Sequence, residues 1–175
     1  MIDEAEVWDR FAALLPDADG DEVRVCWDIG EQEAGIEYLV DALLRYGVRI
    51  GEDTRAEISV VAEEWGMRQA VAGRLVRCTG DGRPAGVELV DEADAVPLGG
   101  EPVDPALDGF LLIPWIRSTG SGRLLVRAHV EEPWGDLSLI PEYYGVLASE
   151  RGLALRLFES FSARAALEEL RGSHP

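Results

Sequence analysis

The 175-residue chain carries 34 Asp and Glu against 16 basic residues, a formal net charge of −18. A balance this acidic repels phosphate backbones and anionic lipid, both of which are bound by clustered Lys and Arg, so nucleic acid and membrane surfaces are poor direct partners. With 47% hydrophobic and 29% charged residues the chain has the composition of a folded protein, either one domain or two small lobes sharing an interface.

The chain begins MIDEAEVWDR, which has neither a basic n-region nor an apolar h-region, so no signal peptide is expected. Val7, Trp8, Phe11, Leu14 and Leu15 recur at helical spacing and predict a first helix over residues 4–15. Pro16 ends it, and the run from Asp17 to Glu22 reads as a solvated turn. Val23, Val25 and Trp27 alternate with Arg24 and Cys26 as a short strand, after which Asp28 is placed to cap a second helix. In that helix Ile36, Leu39, Val40, Leu43 and Leu44 form one apolar stripe, and Gly47 stands where a left-handed C-terminal residue is expected. Thr54 and Glu57 form a capping box before Ile58, Val61, Ala62 and Trp65, predicting a third helix from about Arg55 to Gly66.

From Met67 to Cys78 the pattern permits another helix, while Leu75 to Cys78 also reads as a strand that would pair with Val87 to Val90 as a hairpin. Residues 91–108 hold the Pro, Gly and acid content of a linker or long surface loop. Beyond it, Phe110 to Ile116 and Arg123 to Val130 predict an antiparallel hairpin, with Pro114 marking an edge or a bulge. Pro141, Tyr144, Leu147 and Ala148 predict a short helix closed by Gly152. Leu153, Leu155 and Leu157 predict a strand, Ser162 a helix cap, and Gly172 to Pro175 a frayed end. The expected class is therefore α+β: a mainly helical acidic lobe over 1–90, a linker over 91–108, and a β-β-α-β-α lobe over 109–172. The N-terminal helical hairpin or bundle is expected to pack with the C-terminal lobe, and one compact domain overall is the alternative to two lobes.

Groups that do chemistry are scarce. Of the two histidines, His174 lies in the tail and His129 near a strand end, and neither Cys26 nor Ser121 sits in a nucleophile motif that would pair with His129. There is no HxxxH or CxxC spacing, and DADGDE at 17–22 lacks the later ligands of a calcium loop, so no metal or cofactor is expected. Cys26 and Cys78 lie far apart and fit buried thiols in a reducing compartment. No apolar run reaches the roughly 18 to 20 residues of a membrane span, and the expected location is the cytoplasm. Every base is Arg and none is Lys, which with abundant Ala, Gly and Leu points to a GC-rich bacterial genome.

Two patterns point to binding. Residues 56–75, with Ala62, Gly66, Met67 and Val71, have the spacing of a helix-turn-helix, but residues 1–78 hold 18 acids against 8 Arg, which opposes DNA and favours a scaffold. Asp28, Glu31 and Glu33 open the second helix, and Glu37 and Asp41 continue from Glu33 as a carboxylate stripe. That face reads either as a solvated helix surface or, with Trp27 and Tyr38 beside it as aromatic anchors, as a docking surface for a basic protein.

Across residues 20–70 the chain resembles the small helical immunity proteins of bacterial polymorphic toxin and contact-dependent inhibition systems. The matching positions are Gly30, Glu31, Glu33, Ala34, Leu39 and Leu43, then Ile58, Ala62 and Gly66. The resemblance implies a cytoplasmic, non-enzymatic protein that binds and neutralises a cognate toxin domain, often a nuclease. A small enzyme using His129 and a degenerate helix-turn-helix regulator are the alternatives.

Overall fold

A computed structural model describes residues 4–90, 105–148 and 154–172. The protein is α+β, with helices toward the N-terminus and a five-stranded antiparallel sheet followed by a helix toward the C-terminus. The chain forms two compact units, Met1–Pro84 and Ala85–Pro175. The expected linker at 91–108 lies mostly outside the described residues; at its end, Pro105–Leu107 forms a single 3-10 turn.

The first unit contains helices α1 (Glu4–Ala12), α2 (Asp17–Asp28), α3 (Gln32–Tyr46), α4 (Glu52–Glu64) and α5 (Arg68–Leu75). Helix α1 stops at Ala12 rather than Leu15, where Leu14 and Leu15 N–H turn back to the Phe11 and Ala12 carbonyls. The run read as turn and strand, Asp17 to Trp27, is instead helix α2. Pro16 stands at its N-cap and starts it, and Asp17 and Asp19 sit in the first turn, where acids complement the helix dipole. Val23 and Cys26 face inward while Val25 is exposed, which is the helical period.

Helix α3 follows the predicted stripe, with Ile36, Leu39, Val40 and Leu43 buried and Gly47 left-handed at φ 60°. Asp28 does not cap it: Asp28 ends α2, and Glu31 is the N-cap of α3. A Cβ on Gly35 would lie 2.8 Å from the Trp8 ring and 2.9 Å from Cys26 Cβ, so glycine lets α3 approach α1 and α2 closely. Helix α4 is capped at Gly51, placing Thr54 inside its first turn instead of at a capping box. Residues Leu75 to Cys78 do not form a strand. Helix α5 runs to Leu75, and the chain then pairs Ile50 with Gly80 in a parallel bridge, Ile50 N–H donating to the Thr79 carbonyl at 3.0 Å.

The second unit is a meander in the order β1 (Val87–Leu89), β2 (Leu111–Ser118), β3 (Leu124–His129), β4 (Tyr143–Leu147) and β5 (Ala154–Glu159), followed by α6 (Ala163–Arg171). Val87–Leu89 pairs with β2 and not with Leu75 to Cys78. The β2–β3 hairpin forms as predicted, and Pro114 marks a bulge, where the register shifts between Pro114 and Ile116. Tyr143–Leu147 is a strand rather than the predicted helix, filling the place between β3 and β5. The order is therefore five strands then a helix, not β-β-α-β-α. All six residues of β3 are buried, and α6 packs on β2 to β5 with Ala166, Leu167 and Leu170 inside.

Candidate functional site

The turn from α2 to α3 is built by backbone chemistry. Gly30, at φ 82°, takes the left-handed position, Glu31 N–H donates to the Cys26 carbonyl at 2.8 Å and Gly30 N–H to the Trp27 carbonyl at 3.2 Å. This doubly bonded helix end turns the chain outward. Asp28, Ile29, Gly30, Glu31 and Glu33 are consequently all exposed, with Ile29 at 67% and Val25, one helical turn earlier, at 47%. Among the described residues, Asp28, Glu31 and Glu33 make no ion pair, so the turn presents three uncompensated carboxylates around two exposed aliphatics.

The other predicted docking residues have internal work. Trp27 is half-buried and stacks on Trp8, ring centroids 5.6 Å apart. Arg74 of α5 donates to Glu37 at 2.9 Å and to Asp41 at 2.6 Å. The two acids keep the Arg74 guanidinium charged, Glu37 first among them, and tie α5 to α3. The carboxylate stripe is thus divided: Glu33 faces solvent unpaired, while Glu37 and Asp41 are neutralised.

Tyr38 is likewise engaged. Its hydroxyl donates to Asp19 Oδ1 at 2.7 Å, the Tyr46 hydroxyl donates to Oδ2 at 2.9 Å, and Arg45 lies 3.5 Å from Oδ1. These donors, Tyr38 foremost and then Tyr46, hold the Asp19 carboxyl below its ordinary value. Because the folded state lowers this pKa, the cluster stabilises above the unfolded value of about 3.9 and loses that contribution as pH falls through the folded value. Urea unfolding of the wild type and Asp19→Asn is expected to differ most at neutral pH and to converge below about pH 4. A difference that stays constant with pH would assign the cluster no ionic contribution.

His129 is 3% exposed. Its Nδ1 lies 2.8 Å from the Ser138 carbonyl; since a carbonyl only accepts, Nδ1 carries the proton and donates. The ring thereby fastens the β3–β4 loop. Ser121, at the β2–β3 tip, sits at the opposite end of β3 from His129, and that strand alone spans roughly 17 Å. Cys26 belongs to the other unit. Burial pushes the Cys26 thiol up, and the charges of Glu22 and Glu31 add to this, so the nucleophilic thiolate is disfavoured. The described residues hold no group of acids, His and Cys arranged to bind a metal, and no described helix is long and apolar enough to cross a membrane.

The helix-turn-helix spacing corresponds to α4, a turn through Gly66 at φ 69°, and α5. Arg68 pairs with Glu63 at 3.2 Å, and Arg74 is held by Glu37 and Asp41. The second helix therefore offers DNA two arginines that acids already occupy.

Sequence reasoning passed over the loop between β3 and β4. Val130 N–H bonds Ser138 Oγ at 3.2 Å, Glu131 bridges Leu137, and Gly135 N–H closes a turn onto the Glu132 carbonyl at 2.8 Å. Trp134 stands in that turn 71% exposed, with Leu139 at 73%. Phe161, in the β5–α6 turn, is 70% exposed and holds φ 65°, a left-handed conformation costing a bulky residue about 1 to 2 kcal/mol. The readable signal was Pro133-Trp134-Gly135 flanked by acids, an aromatic placed in a turn that no core surrounds. No protein-family model, curated protein or solved structure matches the chain.

Proposed function

We propose that this is a protein-binding antitoxin of the immunity type, without catalysis of its own, that neutralises a cognate toxin domain by covering its basic surface with the acidic α2–α3 turn. The observation that carries this reading is the set of exposed, internally unpaired Asp28, Glu31 and Glu33 around exposed Val25 and Ile29. Carboxylates around an apolar centre are the arrangement that speeds encounter with a cationic patch and then excludes water from the contact. A nuclease is the toxin chemistry that fits best, because its substrate cleft must be basic to hold phosphates. Glu37, Tyr38 and Asp41 act behind this surface as its support, and Trp27 anchors it to α1 through Trp8.

The immunity reading predicts a toxin gene beside this one, and the experiment uses the toxin domain it would encode. Reversing Asp28, Glu31 and Glu33 to Lys is expected to slow association by about tenfold to a hundredfold at low salt, with a smaller effect at high salt, in stopped-flow or biosensor kinetics. An unchanged association rate would place the interface elsewhere, and a metabolic operon in place of a toxin gene would count against the immunity reading itself.

A further inference from the structure

We propose that the second unit carries a separate docking surface, formed by the β3–β4 loop and the β5–α6 turn, for a cationic amphipathic segment of a partner protein. The surface does not depend on the immunity reading, which rests on the α2–α3 turn. Its apolar part consists of Trp134, Leu137, Leu139, Ile140 and Phe161, all at least 40% exposed. Two hydrogen bonds bring the two segments together: Ser160 N–H donates to the Glu142 carbonyl at 3.1 Å, and Ser160 Oγ donates to the Pro141 carbonyl at 2.5 Å. Ile140 and Phe161 are the chain neighbours of the bonded Pro141 and Ser160. An apolar group of this size left to water marks an interaction site, because burying it elsewhere would have stabilised the fold.

The loop is shaped before any partner arrives. His129 Nδ1 holds the Ser138 carbonyl, Ser138 Oγ donates to the Ile140 carbonyl at 3.0 Å, and the Glu131–Leu137 bridge sets Trp134 at the tip. Such pinning reduces the ordering entropy that binding would otherwise cost. Phe161 adds a second sign, since a strained backbone persists where the surroundings hold it in place and tends to mark a binding position.

Charge selects the occupant. Residues 130–142 contain Glu131, Glu132, Asp136 and Glu142 and no base, and Glu159 stands two residues before Phe161. A second copy of this chain would bring the same acids face to face across a two-fold axis, and anionic lipid would be repelled. Apolar side chains flanked by Lys or Arg satisfy both parts of the surface.

The test titrates the full chain with a Lys/Leu peptide of about four helical turns whose leucines form one face. A scrambled peptide of the same composition, a Glu-for-Lys counterpart and phosphatidylcholine vesicles complete the panel. The Lys/Leu peptide is expected to bind about tenfold or more tightly than either control peptide, with amide shifts confined to residues 130–142 and 159–162. Trp134→Ser with Leu139→Ser should weaken it by about tenfold or more, and the shifts at residues 130–142 and 159–162 should persist when Asp28 and Glu31, the exposed acids of the α2–α3 turn, are reversed. Both substituted side chains are exposed, and an unchanged melting temperature verifies the fold. Equal binding of the control peptides, shifts mapping elsewhere, self-association through Trp134 or preferential binding of vesicles would each overturn the assignment.

Discussion

Replacing Arg55 with methionine is expected to remove about 3 to 5 kcal/mol of stability, measured by urea unfolding followed by circular dichroism. Arg55 lies on α4 and is 6% exposed. Its guanidinium donates to the carbonyls of Leu75, Val76 and Cys78, the last two at 3.2 and 2.9 Å, and its Nε reaches Glu52 at 3.1 Å. These carbonyls belong to the end of α5 and the turn beyond it, where helix geometry leaves acceptors without intrahelical donors and the dipole favours a cation. Methionine fills comparable volume but leaves those acceptors in the interior with nothing to bind. Lysine keeps the charge yet lacks the planar fork, so Arg55→Lys is expected to recover only part of the loss. A methionine variant within about 1 kcal/mol of wild type would mean that water replaces the guanidinium at these carbonyls.

Trp8→Ala is expected to cost a further large amount, about 3 to 5 kcal/mol in the same assay. Trp8 is 1% exposed, stacks on Trp27, and lies against Gly35, so its removal opens a cavity where α1, α2 and α3 meet. Coupling makes the claim specific. Gly35→Ala should destabilise the wild type by about 1 to 3 kcal/mol through overpacking, and the share of that cost due to the Trp8 ring should disappear once the ring is gone, while the 2.9 Å approach to Cys26 Cβ remains. Strictly additive losses would show that Gly35 is required for some reason other than the ring.

These two residues illustrate what the sequence made legible. The stripe through Ile36, Leu39, Val40 and Leu43 and the left-handed Gly47 were readable because a fifteen-residue helix repeats its period several times. Helix α2 was not, since Val23, Val25 and Trp27 satisfy a strand alternation over five residues, and only burial of Val23 and Cys26 with exposure of Val25 separates the two periods. Strand β4 was lost for the opposite reason. Pro141, Tyr144 and Leu147 do have helical spacing, but the position between β3 and β5 demands a strand, and pairing partners distant in sequence overrule local preference. The acidic face was legible as composition and not as geometry: capture of Glu37 and Asp41 comes from Arg74, more than thirty residues away, which no local rule anticipates. Nothing local marks Arg55 as buried either, since its three acceptors lie twenty or more residues on.

The placement of β1 bears on how the protein can be taken apart. Val87–Leu89 precedes the acidic, Pro- and Gly-rich segment, yet among the described residues its strand partner is β2, beyond that segment. A cut anywhere in residues 91–104 would therefore strip β1 from the sheet and bare the outer row of backbone donors and acceptors on β2. An uncovered strand edge beside Trp115 and Ile116 is a template for intermolecular pairing and aggregation. Division between Pro84 and Ala85 keeps that edge covered.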